Sequence, residues 1–285
     1  MAASLVTTRT HCLRGPVCAL ALVGALSLTS AQAEDAKYPD LNGQWSRAAQ
    51  GANWDPTKPG GLRQGAPLTP EYQALLEASI AATASGSQGY NLHSRCISSG
   101  MPRTMLAYEP LDFILTPQTT YIRDYFNDIR RIYTDGRSWP ASVEPSFNGY
   151  TIGEWKDESG SGRYDVLVAE TRFLKGPRVF DATGIPMHMD SQTVIKERIY
   201  LDKANPDRLY DEITTIDHAL TRPWTVVRPY AREHQPIYAE FVCAEDNHHI
   251  MVGNETYFRS VDGQLMPTRK DQPPPPLRGF DQGGK

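Results

Sequence analysis

Strand-like alternation over Gln192–Leu201 places Ile195, Glu197, Ile199 and Leu201 on one face, with Val194, Lys196, Arg198 and Tyr200 on the other. Glu197 is the odd member of an apolar row. A carboxylate there loses its hydration, so it needs a cation or a donor beside it, or its pKa rises. The same alternation selects Arg131 between Ile129 and Tyr133, Asp211 between Leu209 and Ile213, and Arg228 between Val226 and Tyr230. Inward charges on several strands describe the lining of a polar cavity, or else a network that pairs for structure alone. In the cavity reading, Arg131 anchors an anion through its forked donors and Arg198 assists it. Tyr133, Trp155 and Trp224 then form the ligand-binding apolar walls.

Proton chemistry would fall to His188 in the connection Gly184–Asp190, just ahead of the strand that carries Glu197. Histidine titrates near neutral pH, and a carboxylate partner fixes its tautomer. Glu197 is the expected partner or second acid/base, and Asp217, next to His218, closes the following strand and shares the same end. His248-His249, after Glu245 and Asp246, is the one local cluster of metal-ligand types. Its spacing is poor, because neighbours on a strand point to opposite faces. No HExxH, GxSxG, Walker loop or Rossmann glycine pattern is present. No cofactor and no metal are therefore expected, although a metal site assembled from residues distant in sequence leaves no local signature.

These residues need strands to present them. From Asp112 onward, eight runs rich in Val, Ile, Thr and Tyr are bounded by Gly, Pro, Asp or Asn. They are 112–116, 119–125, 129–134, 150–156, 164–173, 192–201, 208–216 and 224–231. The short links Pro117-Gln118, Asp157–Gly162 and Asp202–Asp207 predict antiparallel hairpins. An open meander this wide leaves edges exposed, so the expected fold is mainly β, closing into a calycin/lipocalin-like barrel, with a β-sandwich as the alternative. Upstream, Thr69-Pro70-Glu71 combines a capping hydroxyl, a proline at the first helical position and an acid in the first turn, which predicts one N-terminal helix over 70–84. Gly43-Gln44-Trp45 follows a turn and opens a short strand.

The remainder of the chain bounds the setting. Arg9 and Arg14, an apolar run over Val17–Leu28 and Ala31-Gln32-Ala33 read as a signal peptide over residues 1–33, which predicts periplasmic or secreted localisation. Two cysteines remain beyond it, and in an oxidising compartment Cys96 and Cys243 are expected to form a disulfide worth on the order of 4 kcal/mol. The formal charge of the 285-residue chain is −4, with no basic cluster, which argues against nucleic acid as a partner. No stretch after the leader is long and apolar enough to predict a membrane span. One β-rich domain is expected over 34–259, followed by a Pro-rich, extended tail over 260–285.

Three segments together carry a resemblance. Ile129–Arg137 contains R-R-I-x-x-D-G-R, Gly149–Trp155 contains G-x-x-x-G-x-W, and Leu167–Thr171 contains L-V-x-x-T, with His188 and Glu197-Arg198 after them. In this order the pattern resembles a large group of uncharacterised exported bacterial proteins, over roughly residues 96–232. Gly43-Gln44-Trp45 is more distantly similar to the opening of lipocalin-type barrels. The resemblance implies export, a β-rich domain and weight on those positions, without implying a reaction. The leading expectation is a barrel that binds a small anionic or aromatic organic molecule. The alternative is a cofactor-free lyase, isomerase or hydrolase using His188, Glu197 and Asp217.

Overall fold

The computed structural model describes residues 37–49, 53–126, 128–236, 241–243, 248–253 and 255–275. The stretch read as a signal peptide, the Glu245–Asp246 part of the acidic-histidine cluster and the last ten residues of the expected tail lie outside the described residues.

The chain is mainly β and closes into a nine-stranded barrel. The strands are β1 (Gly43–Arg47), β2 (Leu111–Leu115), β3 (Thr119–Arg123), β4 (Ile129–Tyr133), β5 (Tyr150–Lys156), β6 (Val166–Arg172), β7 (Val194–Leu201), β8 (Arg208–Ile216) and β9 (Trp224–Glu233). Consecutive strands are hydrogen-bonded, and β1 closes the ring by pairing antiparallel with β9. Every neighbouring pair is antiparallel except β4 and β5, which run parallel over Ile132↔Thr151 and Tyr133↔Ile152. The 16 residues that link them let the chain return to the same end before β5 begins, as a parallel pairing requires. The runs expected from sequence match these strands to within about two residues at most ends, and β5 and β8 agree at both ends.

The register stacks the inward residues of β5 to β9 in rows. One row reads Thr151, Thr171, Ile195, Thr215, Trp224, the next Gly153, Ala169, Glu197, Ile213, Val226, and a third Trp155, Leu167, Ile199, Asp211, Arg228. All of these except Gly153 are buried side chains, joined by Trp45, Leu111, Phe113, Ile122, Ile132 and Tyr230 from the other strands. Gly153 faces the inside of β4: a Cβ there would stand 2.6 Å from the Ile132 side chain and 3.1 Å from that of Leu167. A side chain at this position would push the short parallel pair apart.

Charges lie within this packed interior. Arg130 on β4 crosses the barrel to Glu197 on β7, with Nη1 2.7 Å from Oε1 and a second, very short contact from Nη2 to Oε2. Nη2 also donates to Thr171, whose hydroxyl lies 2.8 Å from that of Thr151. Asp211, fully buried, has no donor at either carboxylate oxygen among the described residues. Burial first, and then the charge of Glu197, hold its carboxyl well above the usual range, while Arg130 and Arg228 pull the other way. The suppressed acidity of Asp211 reduces the negative charge that burial would place beside Glu197.

The one α-helix among the described residues, α1 (Pro70–Ala84), agrees with the expected span. Thr69 holds the cap position without a side-chain cap bond; its backbone N–H donates instead to Ala219. Leu68 pairs with Leu220, and Thr221 N–H donates to Pro67, so the start of α1 is tied to the β8–β9 link. Its middle meets the loop at Gly184, where the backbone has φ +84° and a Cβ would stand 2.6 Å from Ser79 Oγ. Helix and loop thus cover the barrel end where β7 begins and β8 finishes. Trp54, Phe180 and Trp224 pack beneath them at ring separations of 5.0–6.4 Å.

Cys96 and Cys243 are joined by a disulfide, as expected. No helix among the described residues is long and apolar enough to cross a membrane. The stretch read as an extended tail carries instead a strand, β12 (Leu265–Pro267), which pairs with β11 (Glu255–Arg259) and, through it, belongs to a small antiparallel sheet with β10 (His249–Val252). Proline is tolerated there because β12 is an edge strand.

Glu197→Ala would leave Arg130 as an uncompensated buried charge, and unfolding in urea is expected to show a loss of about 3–5 kcal/mol. Replacing the pair together, as Arg130→Met with Glu197→Leu, should restore most of it. A loss below about 1 kcal/mol for the single variant would show that the pair does not hold the barrel.

Candidate functional site

The structure divides the sequence-selected residues into three places. Glu197, Asp211 and Arg228 face inward as expected, but they are consumed by packing. Glu197 is held by Arg130, and Arg228 donates to the backbone carbonyls of Met105, Leu106, Asn53 and Trp54. Arg131 does not face inward: Arg130 does, and Arg131 lies exposed on the outer face, where its guanidinium is 5.9 Å from the Tyr121 ring. Tyr133 is also on the outer face, under the Arg137 guanidinium at 3.7 Å. Arg198 points outward as well and makes a two-pronged ion pair with Glu158, at 2.7 and 2.8 Å. Trp155 and Trp224 are buried in rows two apart and wall no common space. Arg131 and Tyr133 instead border an outer groove of about 330 Å³ with Ser98, Asp128 and Asn148.

At the capped end the sequence reading fares differently. His188 and Asp217 meet there, since the His188 backbone N–H donates to Asp217 Oδ1 at 2.9 Å. Asp217 also accepts from the Thr193 hydroxyl at 2.5 Å and from the Ala219 backbone. The fully buried Arg178 lies 3.8 Å from Asp217 Oδ2 and donates to Thr193 Oγ1, to the carbonyl of His188 and to that of Asp190, at 2.7, 2.8 and 3.1 Å. One buried guanidinium therefore fixes both backbone positions from which His188 and Asp190 project. Glu197 is not part of this cluster.

The side chains thus held converge. Asp190 Oδ2 lies 3.0 Å from His188 Nδ1 and 2.7 Å from His218 Nδ1. The imidazole rings meet edge to face at 5.4 Å, and Tyr72 of α1 lies 5.8 Å from the ring of His188. The Asp190 carboxyl is lowered in pKa: its partial burial works against that, and the Gln192 backbone N–H and the two histidines outweigh it. Asp190 was not selected from the sequence, and His218 entered only as the neighbour of Asp217 at the same end. The available signals were an acid two residues after His188 and the Asp217-His218 dipeptide, whose second member turns toward the loop.

Beside this trio, α1 and the loop enclose a cleft of about 350 Å³ lined by Tyr72, Leu75, Ala82, Tyr90, Met187 and Met189, among others. Leu75 and Met189 are 52% and 56% exposed, which is unusual for large apolar side chains at one place. Ser79 Oγ in its wall accepts the Tyr90 backbone N–H and donates to the Thr183 carbonyl, so that hydroxyl is already occupied.

A second cluster surrounds the disulfide. His93 Nε2 lies 2.5 Å from Ser99 Oγ, and its ring packs 4.1 Å from Phe126. Burial, and then Arg103, push its pKa down to about 3, so it stays neutral beside the serine hydroxyl. Close by, burial and the neighbouring Asp128 push Asp124 up to about 7. Nothing in the local sequence marks this cluster, because its members come from separate turns.

Protein-family models, curated proteins and solved structures yield no match to the chain.

Two outcomes follow from these geometries. Asp217→Ala removes the carboxylate facing Arg178 and three accepted hydrogen bonds, so a loss of about 3–5 kcal/mol is expected. Amide exchange should rise first over 184–190. Exchange unchanged in that loop would show that Asp217 does not hold it. For Asp124, the folded carboxyl keeps its proton between the ordinary value of 3.8 and about 7, while the unfolded chain has released it. Its contribution to stability is therefore complete below about pH 4 and is lost as pH rises to about 7. Urea midpoints across this range should lose that downward slope in Asp124→Asn; an identical slope in both proteins would refute the assignment.

Proposed function

We propose that this is an exported barrel protein that binds a small, largely apolar or aromatic molecule in the cleft between α1 and the 184–189 loop. The supporting observation is the cleft itself. Its 350 Å³ falls within the range of small-ligand sites, and its lining is mostly apolar, with Met187, Met189 and two tyrosines. Methionine walls adapt to ligand shape, and Tyr72 presents its phenol to the edge where His188 lies. A ligand with an apolar body and one polar end suits this layout. The closed barrel serves as the rigid support, since its interior is filled by side chains and the ring of charges that they carry. The disulfide and the absence of a spanning helix among the described residues are compatible with export.

A second reading, an enzyme of the lyase, isomerase or hydrolase type, is favoured by one observation. His188, Asp190 and His218 converge at the edge of the same cleft, where a bound molecule's polar end would lie. Asp190 then takes the partner role expected of Glu197.

A thermal-shift screen against aromatic acids, phenols and fatty acids is expected to find compounds that raise Tm by several degrees at saturating concentration. Ala82→Trp, which fills the cleft, should abolish that shift while the unliganded Tm stays close to wild type. Hits lost in Arg131→Ala but kept in Ala82→Trp would move the site to the outer groove and overturn this proposal, as would a screen without hits. A mass change in a hit compound that disappears in His188→Ala would establish the enzyme.

A further inference from the structure

We infer that His188, Asp190 and His218 form a binding site for one divalent first-row transition-metal ion, with zinc as the reference case. One ligand atom from each residue lies within 4.8 Å of the other two. Two imidazole nitrogens and one carboxylate oxygen are donors that such ions favour, and three protein ligands leave a position open for water or a ligand.

Three features distinguish the trio from a chance meeting of surface side chains. The first is convergence. Asp190 Oδ2 lies between two imidazole nitrogens, 3.0 Å from His188 Nδ1 and 2.7 Å from His218 Nδ1, so the three donors face one another. The Asp190 backbone N–H, 3.1 Å from His188 Nδ1, gives way where an ion takes that lone pair. The second is preorganisation. Arg178, buried, holds the His188 and Asp190 carbonyls, and Asp217 holds the His188 backbone N–H, so two of the three ligands project from a fixed loop. Outer groups of this kind orient ligands at established metal sites. The third is dimension. Metal–nitrogen bonds of about 2.0–2.1 Å in a tetrahedron space neighbouring donors at about 3.3 Å. Asp190 Oδ2 stands 2.7 and 3.0 Å from the two nitrogens and needs to withdraw by only a few tenths of an ångström.

Access is assured, because the His218 side chain is 60% exposed. The ion would stand at the edge of the cleft by Tyr72, whose ring neighbours His188. The inference goes beyond the binding proposal and does not require it: a metal can be held there whether or not the cleft takes an organic ligand.

The test uses tag-free protein, stripped of metal with a chelator and free of organic ligands. It is titrated with ZnCl2 by calorimetry, and with CoCl2 while visible absorption is followed. One Zn2+ per chain at micromolar Kd is expected, with a cobalt absorption band and no response to CaCl2, which disfavours nitrogen donors. His218→Ala should weaken zinc at least 100-fold and abolish the cobalt band, and His188→Ala should do the same. His248→Ala with His249→Ala should change neither. His218 is exposed, so its variant is expected to fold with wild-type circular dichroism, which keeps the result interpretable. Absence of zinc heat and of a cobalt band up to millimolar metal would overturn the inference, and so would binding that persists unchanged in His218→Ala. Neither result bears on the thermal-shift screen, which is read in metal-free protein.

Discussion

The ion pair between Arg130 and Glu197 spans the barrel from one wall to the other, and the interior is arranged around it. Two charges removed from water are costly unless their geometry is good and their remaining groups are satisfied. Here the guanidinium meets both carboxylate oxygens and the Thr171 hydroxyl, and burial beside Glu197 holds the Asp211 carboxyl well above the usual range. Around these groups stand Ile195, Ile199, Ile213 and Ile132, all without solvent exposure. The interior around this pair is packed, and the cleft beside α1 lies outside it. Arg130, Thr171 and Glu197 come from three different strands, and Gly153 on β5 faces the β4 wall from which Arg130 extends. Segments far apart in the chain carry these residues because one buried contact needs all of them.

The capped end follows a parallel logic with a different result. Arg178 and Asp217 are also buried and also opposed in charge, but they spend their hydrogen bonds on the backbone of 188–190, the Thr193 hydroxyl and the Ala219 backbone rather than on each other. Inside the barrel, burial turns charge into structure alone. At the barrel end, it fixes a loop whose side chains remain open to solvent.

Much of this architecture was legible in the chain. Tyr150–Lys156 and Arg208–Ile216 alternate cleanly and are bounded by turn residues, and α1 begins at a proline and ends before Gly86, so their limits could be read directly. Ile129–Tyr133 could not be read in the same way. It carries isoleucines of both parities, Ile129 and Ile132, around two adjacent arginines, and no local feature decides which arginine turns inward. The decision rests with Glu197, 67 residues away. The same holds for the convergence of His188, Asp190 and His218: two lie in one loop, and the third arrives only because β8 ends beside the start of β7. Strand pairing supplies that proximity, and spacing along the chain does not display it. β12 was hidden by the prolines around it, which are as common at sheet edges as in extended tails.

The bond between Cys96 and Cys243 has a sequence separation of 147, and β2 to β9 all lie within the ring it closes. Every connection between those eight strands is therefore part of a covalent circle. A protease that cuts any one of these loops, including the long link between β4 and β5, opens the circle but releases no fragment. The cleaved molecule keeps all its strands on one connected chain and can hold its sheet together. In surroundings rich in peptidases, that turns a single nick from a loss of the protein into a change in its connectivity.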